Sequence, residues 1–190
     1  MVFCLKIFDV VALGELLVDF TGNGTSSQDN PVFEANPGGA PCNVLSMLQR
    51  LGKKTAFIGK VGDDSFGRML KDVVAGQGID TSNVVMDSKV PTTLAFVHTA
   101  PDGDRSFSFY RNPGADMMLR KEDVNYSLVK NTRLFHFGSL SMTDTGAEEA
   151  TKEAVKVAKD SGVLVSFDPN LRQQYWEIIT RPKKKFNNEI

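Results

Sequence analysis

Four groups of polar residues in this chain stand at spacings that suit a polar ligand. Glu15 and Asp19 follow an apolar run that ends at Gly14. A carboxylate in that position accepts hydrogen bonds from two hydroxyls at once, the pattern a polyol offers. An exposed strand charge accounts for Asp19 equally well. The second group is Asn36-Pro37-Gly38-Gly39-Ala40-Pro41-Cys42-Asn43, a glycine-rich loop that turns directly into a helix. Gly38 and Gly39 lack a Cβ, so the backbone there takes positive φ and approaches a ligand closely. Pro41 fits a first helical turn, where its missing N–H costs nothing. The amides of such a turn attract a phosphate or a sugar, and Asn43 both donates and accepts. The same run also reads as a tight strand-to-helix connection with no ligand. Arg111-Asn112 is the third group, placed to reach over a pocket or to end a solvated strand. Asp168, Asn170 and Arg172 are the fourth: they suit a phosphate or a metal-bound anion, while Asp168-Pro169-Asn170 is also ordinary turn chemistry.

Several chemistries are excluded. No Walker-type G-x-x-x-x-G-K-[ST] run, no G-x-S-x-G elbow and no zinc-ligand spacing occurs. Gly22-Asn23-Gly24 does not complete a dinucleotide fingerprint. His98 and His136, the only histidines, fall in strand patterns and read as strand residues rather than catalysts. Cys4 and Cys42 make no disulfide framework and favour a reducing compartment, the cytoplasm. A helix N-terminus beside Cys42 would lower its thiol pKa; the competing reading is a small buried side chain. A net charge of −1 gives no electrostatic case for nucleic acid or an anionic membrane. Lys6, Asp9 and Glu15 interrupt the apolar N-terminus before a membrane span could form, and no signal peptide is evident.

The elements that must carry these groups follow an α/β rhythm. With 190 residues, 41% hydrophobic and 24% charged, the chain is long enough for one substantial globular domain. Phe8–Leu13 reads as a central parallel strand buried on both faces. Helices are expected after Pro41, with Val44, Leu45, Leu48 and Leu51 on one face and Gly52 as the stop, and after Asp63 or Asp64, with Phe66, Met69, Leu70, Val73 and Val74 inward. Thr55–Gly62 and Val84–Met86 are strands. The order strand, helix, strand, helix, strand predicts a mostly parallel sheet. Residues 92–111 break it as a β-hairpin around Pro101-Asp102-Gly103-Asp104. A lone hairpin is marginal in water; short extended pieces near 16–20 and 32–35 are available to pair with it in a small second sheet. The rhythm resumes with a strand over Leu134–Gly138, a helix capped by Thr143 or Asp144, and a strand over Val163–Phe167. That last strand delivers Asp168, Asn170 and Arg172 at its C-terminal end, where open parallel sheets bind ligands. Residues 177–190, with Arg181-Pro182-Lys183-Lys184-Lys185, read as an atypical solvated tail after one possible helical turn at Tyr175–Ile178.

Over residues 9–176 the chain resembles the ribokinase-like (PfkB) carbohydrate kinases, and among them the fructokinases. The resemblance rests on Gly14-Glu15-Leu16-Leu17-Val18-Asp19, on Asn36–Val44 with Leu51-Gly52, and on Gly59-Lys60-Val61-Gly62-Asp63-Asp64-Ser65-Phe66-Gly67. Tyr110-Arg111-Asn112-Pro113-Gly114-Ala115-Asp116 and Phe167–Arg172 complete it. It implies a three-layer α/β/α domain with a small β-sheet lid, and ATP-dependent phosphorylation of a sugar hydroxyl with Mg²⁺. It further implies that Asp19, Gly38, Gly39 and Asn43 contact the sugar, fructose in the first instance, and that Arg111 reaches in from the lid. Asn170 and Arg172 would face the phosphate-transfer region. A closing lid would exclude water and favour transfer over hydrolysis, and the lid sheet is a candidate homodimer surface.

Family members are considerably longer and carry a Gly-Ala-Gly-Asp motif towards the C-terminus, whose aspartate is the catalytic base and whose amides stabilise the moving phosphoryl group. That motif is absent from the 190 residues, as are matches to the family's Mg²⁺-holding Asn-x-x-Glu element and adenine pocket. The expectation is therefore a C-terminally truncated domain with no catalytic residue, no metal ligand and only part of the ATP site. Two alternatives remain open: a kinase for another sugar such as 2-keto-3-deoxygluconate, and a non-catalytic sugar-binding or regulatory fragment.

Overall fold

The structure is a computed structural model that describes residues 6–99 and 105–170. Nine strands form two sheets among these residues. The larger is parallel throughout, in the order β5-β4-β1-β8-β9, with β1 Phe8–Leu13, β4 Thr55–Gly62, β5 Asp80–Asp87, β8 Thr132–Gly138 and β9 Leu164–Asp168. The smaller runs β3-β2-β6-β7, with β2 Leu17–Thr25, β3 Pro31–Gly38, β6 Leu94–Thr99 and β7 Arg105–Tyr110. It is mixed: β2 pairs antiparallel with β3 and parallel with β6, and β6 pairs antiparallel with β7. This is the α/β architecture with a small second sheet that the residue pattern predicts.

The apolar run of β1 explains the layering. Val10 and Ala12 point into one core, with Leu45 of α1 (Ala40–Arg50) and Leu70 and Val74 of α2 (Ser65–Gly76). Val11 and Leu13 point into the other, with Ala147, Ala150, Ala154 and Ala158 of α4 (Thr145–Asp160) and Val129 of the short α3 (Tyr126–Lys130). A strand covered on both sides has no polar face to alternate, so it reads as a continuous hydrophobic run. The alanine stripe of α4 lets that helix lie close against the sheet, and all four alanines are at most 2% exposed.

Several boundaries differ from expectation. β2 continues to Thr25 and β3 runs from Pro31 through Gly38, so Asn36, Pro37 and Gly38 are strand residues paired with Asp19, Val18 and Leu17. The expected glycine-rich loop is reduced to Gly39, the N-cap of α1. Polar and turn-forming composition hid the strand extensions; the outer part, over residues 22–25 and 31–34, is an exposed ribbon stabilised by pairing rather than burial. Pro37 is tolerated because β3 is an edge strand. Thr92 and Thr93 lie before β6 rather than in it. The turn at Pro101–Asp104, Cys4, Arg172, the helical turn at Tyr175–Ile178 and the tail lie outside the described residues. β9 is an edge strand in the described sheet, with Leu164 70% exposed.

Of the two aspartates offered as a cap for α2, Asp64 does the capping. Its Oδ1 accepts from the Gly67 amide at 2.8 Å and from the Thr92 hydroxyl at 2.8 Å, and its Oδ2 accepts from the Thr92 amide at 2.8 Å. These bonds hold the carboxyl below the usual aspartate range against the opposing effect of its partial burial. They also pin the segment entering β6, and so the small sheet, to the start of α2. Replacing Asp64 with Ala should cost about 2–4 kcal/mol, from one cap and two further charge-assisted bonds. An unfolding free energy from urea titration within about 0.5 kcal/mol of the parent would contradict this role.

Candidate functional site

β1 is the strand at which the chain changes direction across the large sheet. From it, β4 and β5 extend to one side and β8 and β9 to the other. The crevice at the carboxyl ends beside such a strand is where open α/β sheets take their ligands. A cavity of about 150 Å³ lies there, bounded by Glu15 after β1, Asp19 on β2, Gly39 and Asn43 at the start of α1, Phe109 on β7, and Asn170 after β9. That is roughly ten times the space one water needs, which suits a small polyol.

The two glycines do different work. Gly39 has φ 126°, in the region that side chains avoid, and a Cβ there would press on the carbonyl of Glu15. The backbone therefore crosses itself at this point only because Gly39 has no side chain. A Cβ on Gly38 would occupy the space of the Asp19 carboxylate. Gly38 does not line the cavity; its absent side chain is what lets Asp19 sit there. Two of the amides at the start of α1 are already engaged, which weakens the reading of this turn as a phosphate cradle. The Ala40 amide donates to Glu15 Oε1 at 2.9 Å, the Asn43 amide to the Gly39 carbonyl at 3.0 Å, and Pro41 has no amide hydrogen.

Glu15 was grouped only loosely with Asp19 in the sequence, yet it is the most constrained polar residue of the site. It is 4% exposed, and Oε2 is buried with no hydrogen-bond partner among the described residues. Burial is the main cause that pushes its carboxyl up to about 7 from an ordinary 4.5; the amides of Glu15 and Ala40 pull it back, Asp116 raises it further and Arg111 lowers it. The cue available beforehand was a carboxylate inside an otherwise apolar Gly-Glu-Leu-Leu-Val run. Cys42 is the small buried side chain of the competing reading: burial pushes its thiol up to about 12 and outweighs any favourable effect of the helix terminus.

Arg111 lies at the end of β7 but does not line the cavity. Its guanidinium forms a buried ion pair with Asp116 at 2.6 Å, the two side chains being 5% and 2% exposed. It also donates to Thr143 Oγ1 at 3.0 Å and, more weakly, to the carbonyl of Leu140 at 3.4 Å. Leu140 is itself part of the cavity wall. The reading of Arg111 as a residue reaching over the ligand is thus replaced by one that fastens the root of the small sheet to the wall. Neither histidine joins the site: His98 is exposed and bonded to Ser108, and His136 is buried in β8 with Nδ1 3.0 Å from Ser166 Oγ. The Asp168 carboxylate accepts from the Asn170 amide at 3.1 Å, the turn chemistry considered for that run. Arg172, its expected partner at a phosphate, lies outside the described residues. Among the described residues no three His, Cys, Asp or Glu side chains come together to hold a metal ion. No helix among them is long and apolar enough to cross a membrane.

The match to the pfkB family carbohydrate kinases covers residues 8–186. The chain belongs to that family. It is 47% identical over 169 residues to fructokinase-1 of Zea mays, covering 88% of this chain and 52% of that protein. It is 42% identical over 181 residues to fructokinase-2 of Solanum lycopersicum, covering 94% and 55%. The crystal structure of the Xylella fastidiosa fructokinase aligns with a TM-score of 0.83 at 36% identity, over 94% of this chain and 54% of that one. A second structure of that enzyme, with bound ATP, gives 0.82 at the same identity. The chain spans about half the length of the curated relatives it matches.

The Arg111–Asp116 pair provides a direct test of the site's architecture. Asp116→Ala removes the carboxylate from a buried guanidinium and should destabilise the chain by about 3–5 kcal/mol. The double variant Arg111→Met/Asp116→Leu should recover most of that loss in chemical unfolding. Additive losses in the double variant would show that the two charges do not act as a unit.

Proposed function

We propose that this chain is the sugar-binding half of an ATP-dependent kinase of the fructokinase type. The complete protein would transfer a phosphoryl group to a hydroxyl of fructose in the cytoplasm, using Mg²⁺. The carrying observation is the cavity at the switch strand, which Asp19, Asn43 and Phe109 all line. A carboxylate that accepts from paired hydroxyls, an amide that donates and accepts, and an aromatic residue in the same wall suit a polyol's polar and apolar faces. The named fructokinases among the relatives support the same substrate class. We assign Asp19 and Asn43 to direct sugar contact, Gly38 and Gly39 to giving the backbone and Asp19 their places, and Arg111 to holding the small sheet over the cavity. Asn170, with Arg172, is assigned to the side from which phosphate would arrive.

Charge favours a neutral sugar over a sugar acid. Glu15 and Asp19 both border the cavity, and the nearby guanidinium of Arg111 is already balanced by Asp116. An anionic substrate such as 2-keto-3-deoxygluconate would meet two carboxyl groups and no uncommitted cation among the described residues. We assign residues 1–176 to the N-terminal part of one domain, with the small sheet as its lid and residues 177–190 as a tail. The general base, the metal and most of the ATP site belong, in this reading, to sequence that these residues do not include. A homodimer through the small sheet is part of the same proposal: its exposed face carries Phe33 and Tyr110, each packed edge-to-face on Phe96. Sedimentation of the chain as a monomer at tens of micromolar would remove the dimer.

The purified chain should bind D-fructose without releasing ADP from ATP in a coupled assay. Asp19→Ala should weaken that binding about tenfold to a hundredfold, the cost of a charged hydrogen-bond acceptor. Fructose-dependent turnover at rates typical of kinases would overturn the half-site reading, and equal affinity in the Asp19 variant would remove Asp19 from the sugar contacts.

A further inference from the structure

One ammonium group ties together the two stems of the β6–β7 hairpin, and the sugar-binding reading makes no use of it. Lys60 stands near the carboxyl end of β4, just before Val61 and Gly62. Its Nζ donates to Asp123 Oδ2 at 2.8 Å and to the Met118 carbonyl at 3.1 Å, and lies 3.7 Å from Asp87 Oδ2. Asp87 ends β5 and opens the stem that leads into β6. Its Oδ1 accepts from the amides of Lys89 at 2.8 Å and Val90 at 3.0 Å. Met118 and Asp123 belong to the stem that leaves β7, beyond Asp116. The side chains of Lys60, Asp87 and Asp123 are 11%, 15% and 20% exposed, so this is no solvated surface pair. Partial burial opposes ionisation of Asp87, yet the amides of Lys89 and Val90 and the Lys60 ammonium hold its carboxyl below the usual aspartate range.

The stems are also tied to each other. The Ala115 amide donates to the Pro91 carbonyl at 2.9 Å, and the Thr93 hydroxyl donates to Asp116 Oδ1. What these stems carry is one wall of the cavity. Phe107 and Phe109 both line it from β7, and their rings stack with centroids 5.8 Å apart. β7 is the outer strand of the small sheet and pairs with β6. β6 in turn pairs with β2 over Val18–Thr21. A hairpin is marginal by its own pairing, so this one takes its place from its stems as well.

We propose that Lys60 is a positioning residue for the cavity: by holding Asp87 and the Met118–Asp123 stem to β4, its ammonium sets the place of Phe107 and Phe109 in the wall, and through it the affinity for the polyol. The proposal rests on the sugar-binding reading given above and adds a residue that does not line the cavity. With the ammonium gone, Asp87 and Asp123 are left as neighbouring like charges with little solvent to screen them, and the Met118 carbonyl loses its donor. Both stems then move off β4 and carry the β7 wall with them. The Arg111–Asp116 pair does not replace this tie. It anchors the exit stem to the segment after β8, whereas Lys60 joins both stems to β4 at once.

The test is the D-fructose affinity of Lys60→Met, read by calorimetry at a temperature where the variant keeps the parent's circular dichroism. Affinity should fall about threefold to thirtyfold, the range for a residue that acts on a site without touching its ligand. Ala158→Gly is the control for stability alone. It lies near the end of α4, just before β9 begins, at the opposite edge of the sheet. It should weaken the helix and bind fructose as the parent does. Amide hydrogen exchange separates the two roles further: in Lys60→Met the amides of β6 and β7 should exchange faster while those of β1 and β8 keep their protection. Should Lys60→Met fail to fold, Asp87→Asn keeps the Oδ1 acceptor for Lys89 and Val90 but loses the ion pair. It should weaken binding at least about threefold with the same exchange pattern. Parent-like affinity in the folded variant, or faster exchange spread evenly over both sheets, overturns the role of Lys60 and leaves the sugar-binding reading standing. No fructose binding by the parent chain overturns both.

Discussion

The site depends on a crossing of two backbone segments that a single Cβ would prevent. β3 arrives from the small sheet, passes over the Glu15 carbonyl at Gly39, and becomes α1 without an intervening loop. Because the segments touch, Glu15 Oε1 reaches the first amide of α1 and Asp19 settles into the space beside Gly38. Small sheet, switch strand and helix start are thereby locked in one register. Any side chain at Gly39 would meet both an unfavourable φ and a backbone atom that cannot move without shifting β1. The polar groups of the cavity inherit their positions from that contact.

A second constraint is charge in a dry interior. Glu15, Arg111 and Asp116 lie within electrostatic reach of one another with almost no exposure to solvent. One guanidinium cannot fully compensate two carboxylates at low dielectric. The geometry resolves the competition in favour of Asp116, which takes Arg111 Nε and Nη2, while Glu15 is left with backbone donors on one oxygen. The choice has a structural consequence. The pair joins the end of β7 to the turn that follows it, and Thr143 and Leu140 extend the attachment to the segment after β8. The small sheet is thus anchored at its root by groups whose separation would strand a buried charge, a cost of several kcal/mol.

Much of this was legible in the sequence, for physical reasons that differ from element to element. β1 could be read to the residue because burial on both faces leaves an unbroken apolar run from Val10 to Leu13, after Asp9 at the strand's entry. α1 and α2 could be read because Pro41 and Asp64 mark their first turns. Asp19, Gly39, Asn43 and Asn170 were recognised as candidates by type and motif, and all four border the cavity. The strand character of Gly22–Thr25 and Asn36–Gly38 was not legible: it comes from cross-strand pairing between segments whose own residues favour turns. The roles of Glu15 and Arg111 were not legible either. Which of two carboxylates captures a guanidinium depends on distances across elements that no local pattern records.

The chain order of the site bears on what half of such a fold can do by itself. Glu15, Asp19, Gly39 and Asn43 fall within a short stretch of sequence, and their mutual placement needs only β1, the β2–β3 ribbon and the first turn of α1. Phe109 and the Arg111–Asp116 anchor come from the next segment that pairs with that ribbon. In the proposed reading, recognition of a polyol is assembled from contacts among residues all present here. Transfer of a phosphoryl group makes a different demand, because only groups that act more strongly on the transition state than on the bound substrate accelerate it. Hydrogen bonds to sugar hydroxyls remote from the reacting oxygen hold substrate and transition state alike. A half-site composed of such contacts would support binding with no necessary rate enhancement, so in the proposed reading affinity for the sugar and catalytic power are separable.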